Sequence, residues 1–191
     1  MKCWEESVEK ASRAQLQDMQ LEGLRETVAH ALRTRFYGAR LREVGIEGPQ
    51  DIRGLDDLQR LPFTEKDDLR KAFPDGLLAA DRREVVRMHA SSGTTGIPTV
   101  IYHTQGDLDR WTNLNARCLA ATGCTPEDVF QNMMTYGLFT GGLGLHYGAE
   151  RLGMMVIPAS GGNTVRQIRL MQDFHTTVVH ATPSYLLHIH S

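Results

Sequence analysis

Residues 129–181 read VFQNMMTYGLFTGGLGLHYGAERLGMMVIPASGGNTVRQIRLMQDFHTTVVHA. Three short apolar runs, at 129–134, 154–158 and 176–181, carry the β-branched and aromatic residues that suit strands. Between them, 142–152 and 165–174 place apolar residues at helical spacing. A strand, a helix and a strand repeated at this distance predict βαβ crossovers and a mostly parallel sheet. The fold class is therefore α/β.

Working outward, the same rhythm starts earlier. Residues 85–90 and 99–103 are expected strands, 108–121 a helix, and 184–190 the opening of another helix. Residues 1–80 read instead as helices and connectors. Residues 13–32 carry Leu16, Met19, Leu24, Val28, Ala31 and Leu32 near helical spacing, and Gly45 to Pro49 forms a turn. Thr64 is an expected N-cap, with Glu65, Asp67 and Asp68 in the positively polarised first turn. The expected organisation is a helical segment over 1–80 and an incomplete α/β subdomain over 81–191. The last helix opens at Thr182, Pro183 and Ser184 and runs barely two turns, without a closing glycine or proline. A longer parent chain is the expectation.

The 191 residues carry a formal net charge of −2, with 41% hydrophobic and 23% charged residues, which is an ordinary soluble balance. That leaves no electrostatic case for nucleic acid or an anionic membrane. No apolar run reaches 18 residues and residues 1–20 are polar, so neither a membrane span nor a secretory signal is expected. Cys3, Cys118 and Cys124 lack a C-x-x-C spacing and read as free thiols of a reducing cytoplasm. His188 and His190 are two apart, hence on different helix faces, and no histidine spacing matches a zinc site, so no metal ligand is assigned.

Ser91, Ser92, Gly93, Thr94, Thr95 and Gly96, followed by Ile97, Pro98 and Thr99, join two expected strands. Two glycines let backbone N–H groups approach a ligand, and the hydroxyls add donors suited to phosphate oxygens. The spacing is not that of a P-loop, because no lysine follows Gly96. The same composition also makes a plain polar hairpin turn.

Farther along, six glycines between Gly137 and Gly153 interleave with Tyr136, Phe139 and Tyr147. Tyr136 and Phe139 follow a strand, where ligands of α/β sheets gather, and their rings would wall an apolar pocket. Gly144, Gly148 and Gly153 read as packing positions. His146 and Glu150 form an i,i+4 pair read as a surface contact. Asp56, Asp57, Asp67 and Asp68 read as solvated helix-start charges. No G-x-S-x-G elbow supports a serine hydrolase.

The string from Ser91 to Thr99 resembles the phosphate-binding signature of adenylate-forming enzymes: acyl-CoA synthetases, peptide-synthetase adenylation domains and luciferases. Leu61-Pro62-Phe63-Thr64 with Asp68-Leu69-Arg70 and Gly76-Leu77 looks like the segment preceding that loop in phenylacetate–CoA ligases. Tyr136 through Gly144, His146 through Gly153, and Ala181-Thr182-Pro183-Ser184-Tyr185 are similar to the same family, in its order. Ile97 departs from it, since many relatives carry lysine there.

The resemblance implies an AMP-forming acid–thiol ligase that joins an arylacetic acid, phenylacetate first among them, to coenzyme A. ATP, Mg2+ and coenzyme A are the implied cofactors and co-substrates, and one option for the full-length assembly is a homodimer. Ser91 to Gly96 would bind phosphate, with Thr94 and Thr95 the leading side-chain contacts. Tyr136, Phe139, Gly141 and Gly142 would border the acid pocket. The family's magnesium, ribose and catalytic-lysine residues are expected beyond Ser191, which would leave this chain inactive alone. The alternatives are a non-catalytic fragment, a nucleotide-binding module, or a relative adenylating another aromatic acid.

Overall fold

The computed structural model describes residues 3–91, 96 and 98–191. The chain divides into two compact units, one of Glu6–Thr104 and one of Met1–Glu5 with Gln105–Ser191.

The first unit holds α1 (Glu6–Glu9), α2 (Arg13–Ala31), α3 (Arg35–Glu43), α4 (Lys66–Lys71), β1 (Val85–Ala90) and β2 (Val100–Thr104). Ser12 opens α2 with a capping box: its Oγ accepts from the Gln15 amide at 3.3 Å, and Gln15 Oε1 accepts from the Ser12 amide at 2.8 Å. Thr34 opens α3 by accepting from the Tyr37 amide at 2.9 Å. Leu24, Val28 and Leu32 share one face of α2 and its end, and meet Leu41, Ile46 and Ile52 in a small core.

Two aspartates read as solvated charges serve the backbone here. Asp57 accepts from the Arg53 and Gly54 amides at 2.8 and 3.1 Å. With the Arg60 guanidinium, first among the causes, these hold its carboxyl at about 2. Asp68 accepts from the Glu65 amide, so Glu65 is the N-cap of α4, one residue later than expected. Thr64 turns its hydroxyl to the Tyr37 phenol instead.

β1 and β2 pair with each other, antiparallel, with Ala90 opposite Val100. The segment between them is too short for a parallel crossover, so these strands make a hairpin apart from the parallel sheet.

The second unit holds α5 (Gln105–Ala121), β3 (Val129–Asn132), α6 (Gly141–Leu152), β4 (Met155–Ile157), α7 (Thr164–Asp173), β5 (Val178–His180) and α8 (Pro183–His190). Its strands form a parallel sheet in the order β4-β3-β5, as the alternation predicts. Val156, Phe130 and Val178 are in register and form one row across the sheet. With Ala116, Leu119, Ala149 and Leu152 of α5 and α6 they build the core on that face. The next residue, Gln131, points oppositely, to Gln167 of α7. Both faces are therefore covered, as a parallel sheet requires.

Helices α5 and α6 approach closely because two glycines one turn apart lie at the contact. A Cβ on Gly144 would fall 2.6 Å from Trp111 Cζ2, and one on Gly148 2.5 Å from Asn115 Cβ and 2.9 Å from its carbonyl carbon. The sequence marks these glycines as packing positions; the partner is a helix rather than the sheet. Gly153 ends α6 in the left-handed conformation, φ +94°.

Gly148→Ala should destabilise the second unit by roughly 1–3 kcal/mol, because the neighbour to be displaced includes backbone. Both tryptophans, Trp4 and Trp111, lie in this unit, so fluorescence-monitored urea unfolding reads it directly. Gly23, in α2, has open space around it, and Gly23→Ala should stabilise by about 0.5–1 kcal/mol in circular dichroism.

Candidate functional site

The hydroxyl-rich loop springs from the β1–β2 hairpin. The Ser91 amide donates to the Thr99 carbonyl at 3.0 Å, and Ser91 Oγ accepts from the Thr99 amide at 3.0 Å. Ser91 thus fastens the base of the loop as well as standing at its entrance. Gly96 has φ +117°, a conformation closed to ordinary side chains. Ser92, Gly93, Thr94 and Thr95, the other residues expected to bind phosphate, lie outside the described residues, as does Ile97.

The parallel sheet supplies a second candidate region. From β3 the chain crosses to β4 on one side and then returns past β3 to β5 on the other. The β3–β4 connection therefore covers one face through α6 and the β4–β5 connection the other through α7, and ligands of α/β sheets gather at the carboxyl ends of such strands. Asn132 and His180 are the last residues of those strands.

Asn132 is fully buried and all of its polar atoms are used. Its Nδ2 donates to the Gly142 carbonyl at 2.7 Å, at the start of α6. Its Oδ1 accepts from the Met134 amide at 3.1 Å and lies 3.1 Å from His180 Nδ1. An amide oxygen only accepts, so His180 Nδ1 carries a hydrogen. Burial pushes the His180 imidazole below its ordinary value. The neutral ring stacks on Phe130, centroids 6.1 Å apart.

On the α7 face, Gln131 Nε2 donates to Gln167 Oε1 at 2.7 Å, and Gln131 Oε1 accepts from Thr176 at 2.9 Å. Gln167 Nε2 donates to the Ser160 and Gly162 carbonyls at 2.7 and 3.2 Å. The Ser160 amide in turn donates to the Asn132 carbonyl at 3.0 Å. The loop after β4 is thereby fixed to the end of β3, and its left-handed residues Ser160, Gly162 and Asn163 are held in place.

Tyr136 lies half-buried in the β3–α6 loop. Gly142 lets it sit there: a Cβ would fall 2.7 Å from the Thr135 carbonyl oxygen and 3.3 Å from Tyr136 Cδ1. The phenol oxygen is 3.0 Å from His146 Nδ1, and His146 Nε2 is 3.1 Å from Glu150 Oε1. The His146–Glu150 pair is therefore more than a surface contact, because the imidazole is largely enclosed and joins Tyr136 to the carboxylate. Burial holds the Tyr136 phenol above the usual tyrosine range; a hydrogen bond from Asn132 opposes this, and the Glu150 carboxylate adds to it. Gly141 begins α6. Phe139, expected beside Tyr136 in a pocket wall, is 66% exposed.

Asn132, His180 and Gln131 do not stand out in the sequence as site residues. The available signal was two consecutive amide side chains inside an otherwise apolar strand, since such groups are buried only when hydrogen-bonded.

His180 predicts a pH dependence. A depressed folded-state value means its stabilising effect is complete above 6.5, the ordinary histidine value, and is lost as pH falls through the folded value. The tryptophan-monitored urea midpoint should fall between about pH 7.5 and pH 5, and His180→Gln should shrink that fall. An undiminished fall in the variant would assign the effect to another group.

Among the described residues no helix is long and apolar enough to cross a membrane. No family model matches the chain. It is 50% identical over 183 residues to the phenylacetate-coenzyme A ligase of Thermus thermophilus and 47% identical over 183 residues to that of Escherichia coli. These matches cover 95% of this chain but 41% and 42% of those proteins, so the chain spans about two fifths of the length of the curated relatives it matches. Among solved structures, 2-hydroxyisobutyryl-CoA ligase in complex with 2-HIB-AMP and CoA superimposes with a TM-score of 0.85 at 27% identity, over 93% of this chain and 39% of that one. A second structure of that ligase, an open conformation with the same two ligands, gives 0.82 at 25% identity, over 92% and 39%. This chain is a homologue of the phenylacetate-coenzyme A ligases, matching their N-terminal portion, and has part of the α/β fold of an adenylate-forming ligase.

Proposed function

We propose that this chain is the N-terminal part of an ATP-dependent ligase that joins an arylacetic acid, phenylacetate foremost, to coenzyme A. The observation that carries the proposal is identity of 46–50% over 95% of the chain to four phenylacetate-coenzyme A ligases. In the first half-reaction the acid's carboxylate oxygen attacks the α-phosphorus of ATP, forming acyl-adenylate and releasing pyrophosphate. In the second, the coenzyme A thiol attacks the acyl carbonyl carbon, loses its proton and displaces AMP. The solved ligase held with acyl-AMP and CoA supports this sequence of steps.

Ser91 to Gly96 would hold the phosphates through backbone amides and the Thr94 and Thr95 hydroxyls, which are donors that stabilise growing negative charge. Ser91 and Gly96 support this by closing the loop base and turning the backbone. At the carboxyl ends of β3 and β5, Tyr136, Gly141 and Gly142 would border the acid, with the Tyr136 ring as its flat wall. Phe139 would join them by turning its exposed ring inward. Residues 81–191 belong, on this reading, to an adenylation subdomain, and the catalytic residues lie in the three fifths of the relatives' length that this chain does not span. Among the described residues no group of three or more His, Cys, Asp or Glu could hold a metal ion. Magnesium would arrive with the nucleotide, and its protein ligand would lie in the part of the relatives' length that this chain does not span. The 2-hydroxyisobutyryl ligase supports one second reading, an acid of a different class on the same scaffold.

In the protein made from the complete reading frame, Thr94→Ala combined with Thr95→Ala should lower phenylacetate-dependent ATP–pyrophosphate exchange by roughly a hundredfold or more with the fold intact. Unchanged exchange would remove the loop from the site. Tyr136→Ala should raise the KM for arylacetate well above its effect on the KM for ATP. Equal effects on both would make Tyr136 a structural residue.

A further inference from the structure

We propose that His146 and Glu150 are positioning residues that fix the Tyr136 ring toward the acid and thereby set the affinity for arylacetate. The proposal rests on Tyr136 being a wall of the acid pocket, and deepens that reading.

Hydrogen-bond direction carries it. The Glu150 carboxylate only accepts, so His146 Nε2 carries a hydrogen facing it at 3.1 Å, and the imidazole with that single hydrogen is the Nε2–H tautomer. Nδ1 is then an acceptor, and the Tyr136 O–H donates to it across 3.0 Å. The chain therefore runs one way: Tyr136 to His146, His146 to Glu150. It begins in the loop after β3 and finishes on a carboxylate that is half-exposed, with 52% of its side chain accessible.

Sterics hold the same geometry. The His146 ring meets Tyr136 edge-on at 5.5 Å and 88°, and Tyr147 edge-on at 5.1 Å and 85°. Bare Gly142 lies close against the Tyr136 ring, where a Cβ would fall 3.3 Å from Cδ1. The phenol is thus engaged within the protein, and what it offers an acid is its ring face. A hydroxyl committed in this way orients the ring without touching substrate, and Tyr136 and His146 act as one unit.

The test is a double-mutant cycle in the protein made from the complete reading frame, with KM for phenylacetate and for ATP measured separately. Tyr136→Phe and His146→Leu should each raise the phenylacetate KM by about tenfold, the scale of one buried hydrogen bond, and leave that for ATP unchanged. The double variant should be no worse than either single one. Glu150→Gln, which still accepts from Nε2–H, should be nearly silent, whereas Glu150→Leu should give an intermediate rise. Nitrogen NMR of the wild-type protein should show His146 with its hydrogen on Nε2.

Additive effects, or a Tyr136→Phe effect that His146→Leu lacks, would mean that the hydroxyl meets the acid directly and would overturn the proposal. So would an Nδ1–H tautomer. If Tyr136→Ala leaves the phenylacetate KM unchanged while the Nε2–H tautomer is found, the pocket assignment itself has failed and the hydrogen-bonded chain remains purely structural.

Discussion

A buried amide cannot be left partly satisfied. Asn132 is fully enclosed at the carboxyl end of β3, and each polar atom it cannot pair would cost about 1–3 kcal/mol. Its partners lie on three different segments: Gly142 at the start of α6, Met134 in the intervening loop and His180 at the end of β5. Satisfying one side chain therefore fixes the separation of β3 and β5, the entry of α6 and the path of the loop carrying Tyr136. The constraint thus lies at the carboxyl ends of the strands, where ligands of α/β sheets gather.

The rest of the second unit serves that end. Phe130, flanked by Val156 and Val178, anchors the sheet under α5 and α6, while Gln131 ties the opposite face to α7. Close approach of α5 to α6 depends on Gly144 and Gly148, and it holds the helix that supplies Gly142, His146 and Glu150. Glycines that look like loop material in the sequence thus divide into distinct roles: Gly142 admits a ring, Gly144 and Gly148 admit a helix, and Gly153 ends one.

Much of this was legible in the sequence because it rests on periodicity. Alternating apolar runs of strand and helix length marked β3, α6, β4, α7, β5 and α8 to within a residue or two, and β-branched residues marked β1 and β2. Pairing was less legible. Whether β2 follows β1 in a hairpin or a crossover depends on what the loop between them can span, and alternation alone does not encode it. The polar residues of the candidate site were least legible. Asn132, Gln131 and His180 gain their meaning from partners as far as 48 positions away in the chain. His146 looked like half of a surface pair because its local partner, Glu150, is visible at i+4, whereas Tyr136 reaches it only when the loop folds back. The N-cap shift from Thr64 to Glu65 has the same origin, a tertiary bond from Tyr37 competing for the hydroxyl.

A crystal structure of the protein made from the complete reading frame, with phenylacetyl-AMP bound, would test the central claim most directly. The phenyl ring is expected against the face of Tyr136, beside the carboxyl ends of β3 and β5, with the Tyr136 hydroxyl still on His146. A phenyl ring bound away from those strand ends, with Tyr136 untouched, would contradict it.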